Sequence, residues 1–362
     1  MKIFFCGDVM TGRGVDQVLP HPGSPRLYES YLRNARDYVA LAEKAHGTIP
    51  RPVSLDYIWG DALDIRKEQS PDVMIANLET AITTSDDHES KGVNYRMHPA
   101  NAPVLSAAQI DICSLANNHV LDWGQPGLHE TLDALDTNEI LHAGAGRTLA
   151  DAQAPAVTEV HGGRVLVFGM CHASSGVPPA WAAAEERGGI FLLSTLDERA
   201  VAQVGELIAG HKRSGDVAVA SIHWGGNWGY AVPGGHVSFA HALIDSAGVD
   251  IVHGHSSHHP RPIEIYQGRP IFYGCGDFIN DYEGVSGYEE FRDDLTLMYF
   301  VDVDPVPFKF RKVEMHCRQI RRFRLQRAAQ ADVRWMRERL QEISRPFGAR
   351  VELEENVLVV KQ

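Results

Sequence analysis

The sequence has few cysteines and pairs none of them closely. Cys6, Cys113, Cys171, Cys275 and Cys317 are five in number, far apart, and without any C-x-x-C spacing. An odd, scattered set excludes a disulfide framework and a structural zinc site, and the natural expectation is a reducing compartment. Long apolar runs are missing too. The run before Asp8 is too short for a signal-peptide core, and no other stretch approaches the roughly 20 apolar residues of a membrane span. These two shortages predict a cytoplasmic protein with no membrane partner. Positive charge is also in short supply, with 34 Lys and Arg against 47 Asp and Glu, a formal net charge of -13. Such a balance repels a polyanion, so nucleic acid is not expected as a partner. No internal repeat or low-complexity tract is visible.

The 362 residues, 44% hydrophobic and 22% charged, are enough to bury a large core. Short apolar runs recur and read as strands at Ile3 to Cys6, Val73 to Ala76, Ile112 to Leu115, Val165 to Phe168, Val217 to Ile222, Ile251 to Val252 and Ile271 to Tyr273. Between them, helical patterning covers Leu128 to Leu135, Ala200 to His211, Phe239 to Ser246 and Asp332 to Ile343. Alternation of this kind predicts an α/β fold with a mixed or parallel sheet. Residues 21 to 60 read as an insertion with one helix near Tyr31 to Ala45, placed to wall a substrate pocket. After about residue 317 comes a basic stretch, then a helix and a hairpin around Glu354, Glu355 and Asn356.

Metal-capable side chains follow directly after these strands. They are Asp8, Glu79 within Asn77-Leu78-Glu79, Asn117-Asn118-His119, His223, and the run His253-Gly-His255-Ser-Ser-His258-His259. Loops at the carboxyl ends of α/β strands line one crevice, which brings such scattered residues together. Carboxylate and amide oxygens with imidazole nitrogens suit Mn, Fe or Zn, and the absence of Cys from these loops argues against a thiolate site. Four histidines in seven residues have no packing periodicity, and Gly254 lets the backbone fold close around an ion. Arg13, Lys91 and Arg96 are cations suited to gripping a carboxylate or phosphate. Trp224 and Trp228, on the glycine-rich stretch after His223, are candidate pocket walls. Asp277 is a candidate extra ligand or orienting partner, and His253 a candidate orienting residue.

In this order, Gly-Asp8-Val-Met, Asn77-Leu-Glu79, Ala-Asn117-Asn118-His119, His223-Trp-Gly and Gly254-His255 to His258 followed by Pro262-Ile-Glu, the residues resemble the CapA or poly-γ-glutamate synthesis (PgsA-type) family. That family in turn resembles the calcineurin-like metallophosphoesterases. The likeness covers roughly residues 1 to 300 and implies a four-layer αββα sandwich over residues 1–316, with 317–362 packed on it as a small helix-hairpin extension. It also implies one or two divalent metal ions. Asp8 and His258 would hold the first, Glu79 would bridge, and Asn118, His223 and His255 would hold the second. His119 would be the general acid, with Arg96 beside it at the catalytic centre. Three departures stand out: Met10 replaces a usual His, Glu79 replaces a bridging Asp, and one extra residue lies between His255 and His258.

The resulting expectation is a metal-dependent hydrolase using a metal-activated water on a γ-glutamyl or peptide-like amide, or on a phosphoester, of a small anionic or peptide-like substrate. The rival expectation is a non-catalytic accessory or binding subunit of a polyglutamate-type biosynthetic system.

Overall fold

The computed structural model describes residues 1–361 and is a mixed α/β sandwich. One sheet of ten strands is built around Lys2–Val9, which runs parallel to Val73–Leu78 on one side and antiparallel to Leu295–Pro305 on the other. A second sheet of seven strands is built around Gly163–His172, Val217–His223 and Ile251–His255, all parallel.

The alternation of side chains decides how the sheets stack. Ile3, Phe5, Val73 and Ile75 face Val165, Val167, Val217 and Val219 across one shared core. Their neighbours Phe4, Cys6, Met74 and Ala76 face outward and are covered by the helices Arg36–His46 and Gly124–Thr137. Leu166, Phe168, Ala218 and Ala220 likewise turn outward beneath the helices Glu198–His211 and Gly234–Ser246. Period-2 alternation with both faces apolar is what a sheet buried on both sides requires.

The strands and helices expected from the sequence all occur, with the ends shifted by a few residues. A long hairpin, Leu295–Pro305 and Phe308–Ile320, was not expected. Its second strand runs straight through the boundary drawn at residue 316. The final hairpin, Arg350–Glu354 and Val357–Lys361, joins the edge of that strand and continues the first sheet. Val333, Met336 and Leu340 of the helix Gln330–Ser344 belong to the central core. Residues 317–361 thus contribute strands to the first sheet and a helix to the central core.

All five cysteines are free and buried. No helix among the described residues is long and apolar enough to cross a membrane.

Candidate metal centre

Two rows of polar residues meet at the carboxyl ends of the two sheets. In the first sheet Ser114, Asn77, Asp8 and Asp277 lie side by side on four adjoining strands. In the second, His223 is paired with His255 and Ser221 with His253. Because side chains alternate along a strand, this register points each row to one face.

Asp8 and Asp277 can be neighbours because both follow a glycine. A Cβ on Gly7 would lie 1.6 Å from the Gly276 carbonyl oxygen, and Gly276 itself has φ +77°. The Asp8 amide donates to that same carbonyl at 2.9 Å. No other residue fits either position.

The carboxylate of Asp8 is common to two sets of potential ligands. One is Asp8, His223 and His255; the other is Asp8, His258 and Asp277. In each set the ligand atoms lie within 4.8 Å of one another, and every residue is buried. Asn118 Oδ1 lies 3.1 Å from His223 Nε2 and adds an amide oxygen to the first set. Glu79 Oε1 lies 3.8 Å from the Nε2 atoms of both His119 and His223. Ser256, at φ +100°, makes the sharp turn that sends His255 to one set and His258 to the other. The extra residue in this segment is thus absorbed locally.

Hydrogen bonds select the protonation of His255. His253 Nε2 donates to the Cys6 carbonyl at 2.8 Å, so its Nδ1 must accept, and the Ser221 hydroxyl donates to it at 3.0 Å. With that proton committed, Ser221 Oγ accepts from His255 Nε2, also at 3.0 Å. His255 Nδ1 is left with a lone pair, which faces His223 Nδ1 at 2.8 Å. A ligating histidine whose other nitrogen is held by a hydrogen bond is the usual arrangement around metals. On the other side, Asn77 Nδ2 bonds both Asp8 (2.8 Å) and Glu79 (3.1 Å), and Asn117 in turn donates to Asn77 Oδ1. Asn280 donates to Asp277 at 2.7 Å, and the other Asp277 oxygen holds His258 Nδ1 at 2.8 Å.

The electrostatics are those of a site that wants a cation. Burial and the nearby Asp277 push the Asp8 carboxyl up to about 7, and burial with Asp8 beside it holds Glu79 well above the carboxylate range. Burial drives His223 and His255 well below the usual imidazole value, leaving them neutral with lone pairs to offer. For His258 burial is again the largest single effect and lowers the ring, but the charge and hydrogen bond of Asp277, with the charges of Asp8 and Asp293, together outweigh it and raise the ring. Asp8 Oδ2 is buried with no hydrogen-bond partner, a costly condition that a bound cation would relieve. The donor set fits one or two divalent ions.

His119 stands at the rim. Its Nδ1 is 2.6 Å from Asp122 Oδ2, its Nε2 faces the cluster, and burial lowers it to about 4. Asp122 was not singled out in the sequence, although its spacing of three residues from His119 on a turn is a usable signal. Lys91 pairs with Asp122 at 2.7 Å and also reaches the Asn118 carbonyl.

The other candidates are dispersed. Arg13 is buried in a pocket of acids, bonded to Asp281 and to Glu29, the latter at 2.9 Å. Arg96 lies over the Trp123 ring and pairs with Asp86, and no contact joins it to the ligand cluster. Trp224 is a core residue, stacked on His236 with its indole nitrogen on the Tyr273 carbonyl, so it walls no pocket. Trp228 is half-buried and lines an open pocket beside His258 together with Arg13 and Asp293. The helix of the 21-to-60 insertion sends Tyr38 to that same pocket.

Comparison with known proteins agrees with the order of these motifs. The family model described as bacterial capsule synthesis protein PGA_cap matches residues 2–282. A Mycobacterium tuberculosis protein named "Probable polyglutamine synthesis accessory protein" is 50% identical over 354 residues, 97% of this chain and 93% of that protein. The PGA biosynthesis protein CapA of Bacillus subtilis is 26% identical over 298 residues, 82% of this chain and 66% of its own length. The capsule biosynthesis protein CapA of Bacillus anthracis is 26% identical over 302 residues, 83% and 63% respectively. The match takes in every residue of the two ligand sets, and the chain belongs to the bacterial capsule synthesis PGA_cap family.

Proposed function

We propose that this protein is a metal-dependent hydrolase that cleaves an amide bond in a peptide-like chain of glutamyl or glutaminyl units, in the service of making that polymer. The observation that carries the proposal is the unpartnered Asp8 Oδ2, buried where two ligand sets share one carboxylate. Asp8, His223, His255 and Asn118 would hold one ion, and Asp8, His258 and Asp277 a second, with Glu79 beside both. Asp277 would stand in for the histidine that Met10 replaces. The two facing sheets with helices outside are, on this reading, the four-layer sandwich of the metallophosphoesterases.

Such an ion, when bound, supplies a polarised electrophile and a water of lowered pKa. The chain supplies the rest. His119 Nε2 faces the cluster; it would take a proton from the attacking water and hand it on to the leaving group, while Asp122 holds Nδ1–H and stabilises the charged ring between the two transfers. The relatives' names, polyglutamine synthesis and PGA biosynthesis, support an amide in preference to a phosphoester.

The word accessory in the name of the mycobacterial relative favours a second reading, in which the chain binds polymer or partner without chemistry. Metal analysis and turnover together separate the two. Purified protein, expressed with supplementation and without chelator, should hold one to two equivalents of Mn, Fe or Zn and cleave glutamyl or glutaminyl amides faster than nitrophenyl phosphates. Less than about a tenth of an equivalent of any transition metal defeats the metal centre. Full metal with no turnover of either substrate class leaves the accessory reading.

A further inference from the structure

A second polar cavity lies where the ten-stranded sheet changes partners. Along one side of the strand Phe308–Ile320, Val313 to Met315 pair with the final hairpin and Arg318 to Ile320 pair with Leu325–Arg327. His316 and Cys317 fall between the two, and a cavity of about 400 Å³ opens there. The strand Leu295–Pro305 separates it from Lys2–Val9, and no residue of either ligand set lines it, so ions at the centre add nothing to its charge.

The floor of this cavity is cationic and unanswered. Side chains two apart on a strand share a face, which puts His316 and Arg318 together, 7% and 6% exposed. Arg318 makes no ion pair among the described residues; its guanidinium donates to the Cys317 carbonyl at 2.8 Å, and its Nε is buried without a partner. Directly opposite in the register stands Arg327, which has no ion pair either. Like charges at opposed positions repel, and a buried guanidinium without a counter-charge is costly. His316 Nε2 is also buried and unpartnered; burial, then the Arg318 charge, lower the ring to about 4 and leave it neutral with one N–H to donate. Gln330 opens the helix Gln330–Ser344, whose N-terminus no side chain caps, so its first amides are available to an anion. The nearby acids are engaged elsewhere or face water. Asp61 takes the Arg327 amide at 2.8 Å and lies 3.9 Å from Arg324, Asp332 pairs with Arg292, and Glu314 with Lys312. Asp64 is exposed on its helix, and Glu68 and Glu355 are exposed at the mouth, where solvent screens them.

We infer that this cavity is a binding site for a small oxyanion, a phosphate or carboxylate group, gripped by Arg318 and Arg327 with His316 and the Gln330 amide beside it. Planar guanidinium groups suit either oxyanion. The site stands apart from the metal centre and does not depend on hydrolysis there.

The probes are inorganic phosphate and glutarate. Because a metal centre also takes oxyanions, the measurement has to be local: phenylglyoxal labelling of Arg327 in the metal-loaded protein, followed by peptide mass spectrometry. Labelling should slow at least about threefold in about 10 mM of one probe, as a Kd of a few millimolar requires, while the exposed Arg199 on the other sheet's helix labels at its former rate. Protection by phosphate alone identifies a phosphate site, by glutarate alone a carboxylate site, and by both a site for the shared chemistry. Arg318→Gln should abolish the protection. In titration calorimetry Arg327→Gln, a change at an exposed position that keeps the test open if the Arg318 variant does not fold, should lose one binding event with metal content unchanged. Glu355→Gln should tighten binding severalfold by removing an acid from the mouth. No protection by either probe overturns the site, as does protection undiminished in Arg318→Gln or a titration of Arg327→Gln identical to wild type.

Discussion

Asp8 and Asp277 sit directly opposite each other on two parallel strands, 269 residues apart in sequence, each preceded by a crowded glycine: Gly7 lies against the Gly276 carbonyl, and Gly276 against the backbone of His259 and Pro260. Two buried carboxylates at this spacing repel unless a cation or proton lies between them. The pairing explains why Asp8 is the group with an orphaned oxygen and why His258, drawn to Asp277, is raised above its ordinary value.

Asp8→Asn should therefore remove most bound metal, because both ligand sets lose their shared member. Asp277→Asn should cost one equivalent at most, since only the His258 set contains it. Circular dichroism of both should match wild type. Equal metal loss from the two variants would show that Asp8 is not shared.

Metal binding should release protons. Asp8 titrates near 7 in the metal-free protein against 3.8 for an ordinary aspartate, and Glu79 is raised as well. At pH 6 Asp8 holds a proton that a cation must displace, so affinity should rise with pH by about tenfold per unit below about 7. The same shift sets the sign for stability: the folded metal-free protein keeps the Asp8 proton more tightly than the unfolded chain. The Asp8 carboxyl therefore stabilises it most below about 4 and loses that contribution as pH rises towards 7, and the raised Glu79 acts with the same sign. Calorimetry of metal binding in buffers of different ionisation enthalpy counts the protons; a count of zero at pH 6 refutes the assignment.

Substituting His119 by Ala should lower kcat by about 10² to 10⁴ with metal content unchanged. The loss should be smallest for activated leaving groups, which need little protonation. Asp122→Asn should fall in the same direction but less steeply, as it holds the ring without touching substrate. A uniform loss across leaving groups would mark His119 as a structural residue.

Ser221→Ala breaks the hydrogen-bond chain from the Cys6 carbonyl through His253 to His255. Loss of such an orienting partner typically weakens metal affinity by about 10- to 100-fold. Competition against a chelator of known affinity gives the number. Unchanged affinity would mean that His255 finds its tautomer without this chain.

Arg13→Ala should act on stability, not on substrate affinity. The guanidinium is buried with Asp281 and Glu29, and removing one partner of a buried ion pair typically costs about 3–5 kcal/mol. Urea unfolding at fixed metal occupancy measures it. A raised KM at unchanged stability would return Arg13 to the role of substrate grip.

The cluster of metal-capable side chains was readable in the sequence because strand-end residues are chemically conspicuous: Asp8, Asn118, His223, His255 and His258 each follow an apolar run at a place where packing gives no reason for them. What surrounds them was not readable. Asp122, Asn280, Asp293 and Ser221 are ordinary polar residues whose importance comes from which strand or turn lies opposite. Arg13, Lys91 and Arg96 looked like free cations because an acid 268 residues away, such as Asp281, cannot be assigned to one of them by spacing. Trp224 stands in a glycine-rich stretch that suggests a loop, yet the strand before it delivers its ring into the core. The strand Phe308–Ile320 escaped notice because its first half mixes Lys, Arg and aromatic residues without clean alternation, and its burial comes only from its neighbours in the sheet.

The final hairpin has a consequence for the polymer-making surroundings of this family. Without it, the middle of Phe308–Ile320 would offer unpaired backbone groups to a passing extended chain, since Leu325–Arg327 covers only Arg318 to Ile320. Val357–Lys361 pairs with Val313 to Met315, and the short strand Arg350–Glu354 forms the outer edge with charged side chains, Arg350 bridged to Glu352 and Glu354 to Lys361 at the surface. An edge of this kind offers an extended chain little to adhere to. In this fold the twelve residues 350–361 turn a sticky margin into a self-limiting one.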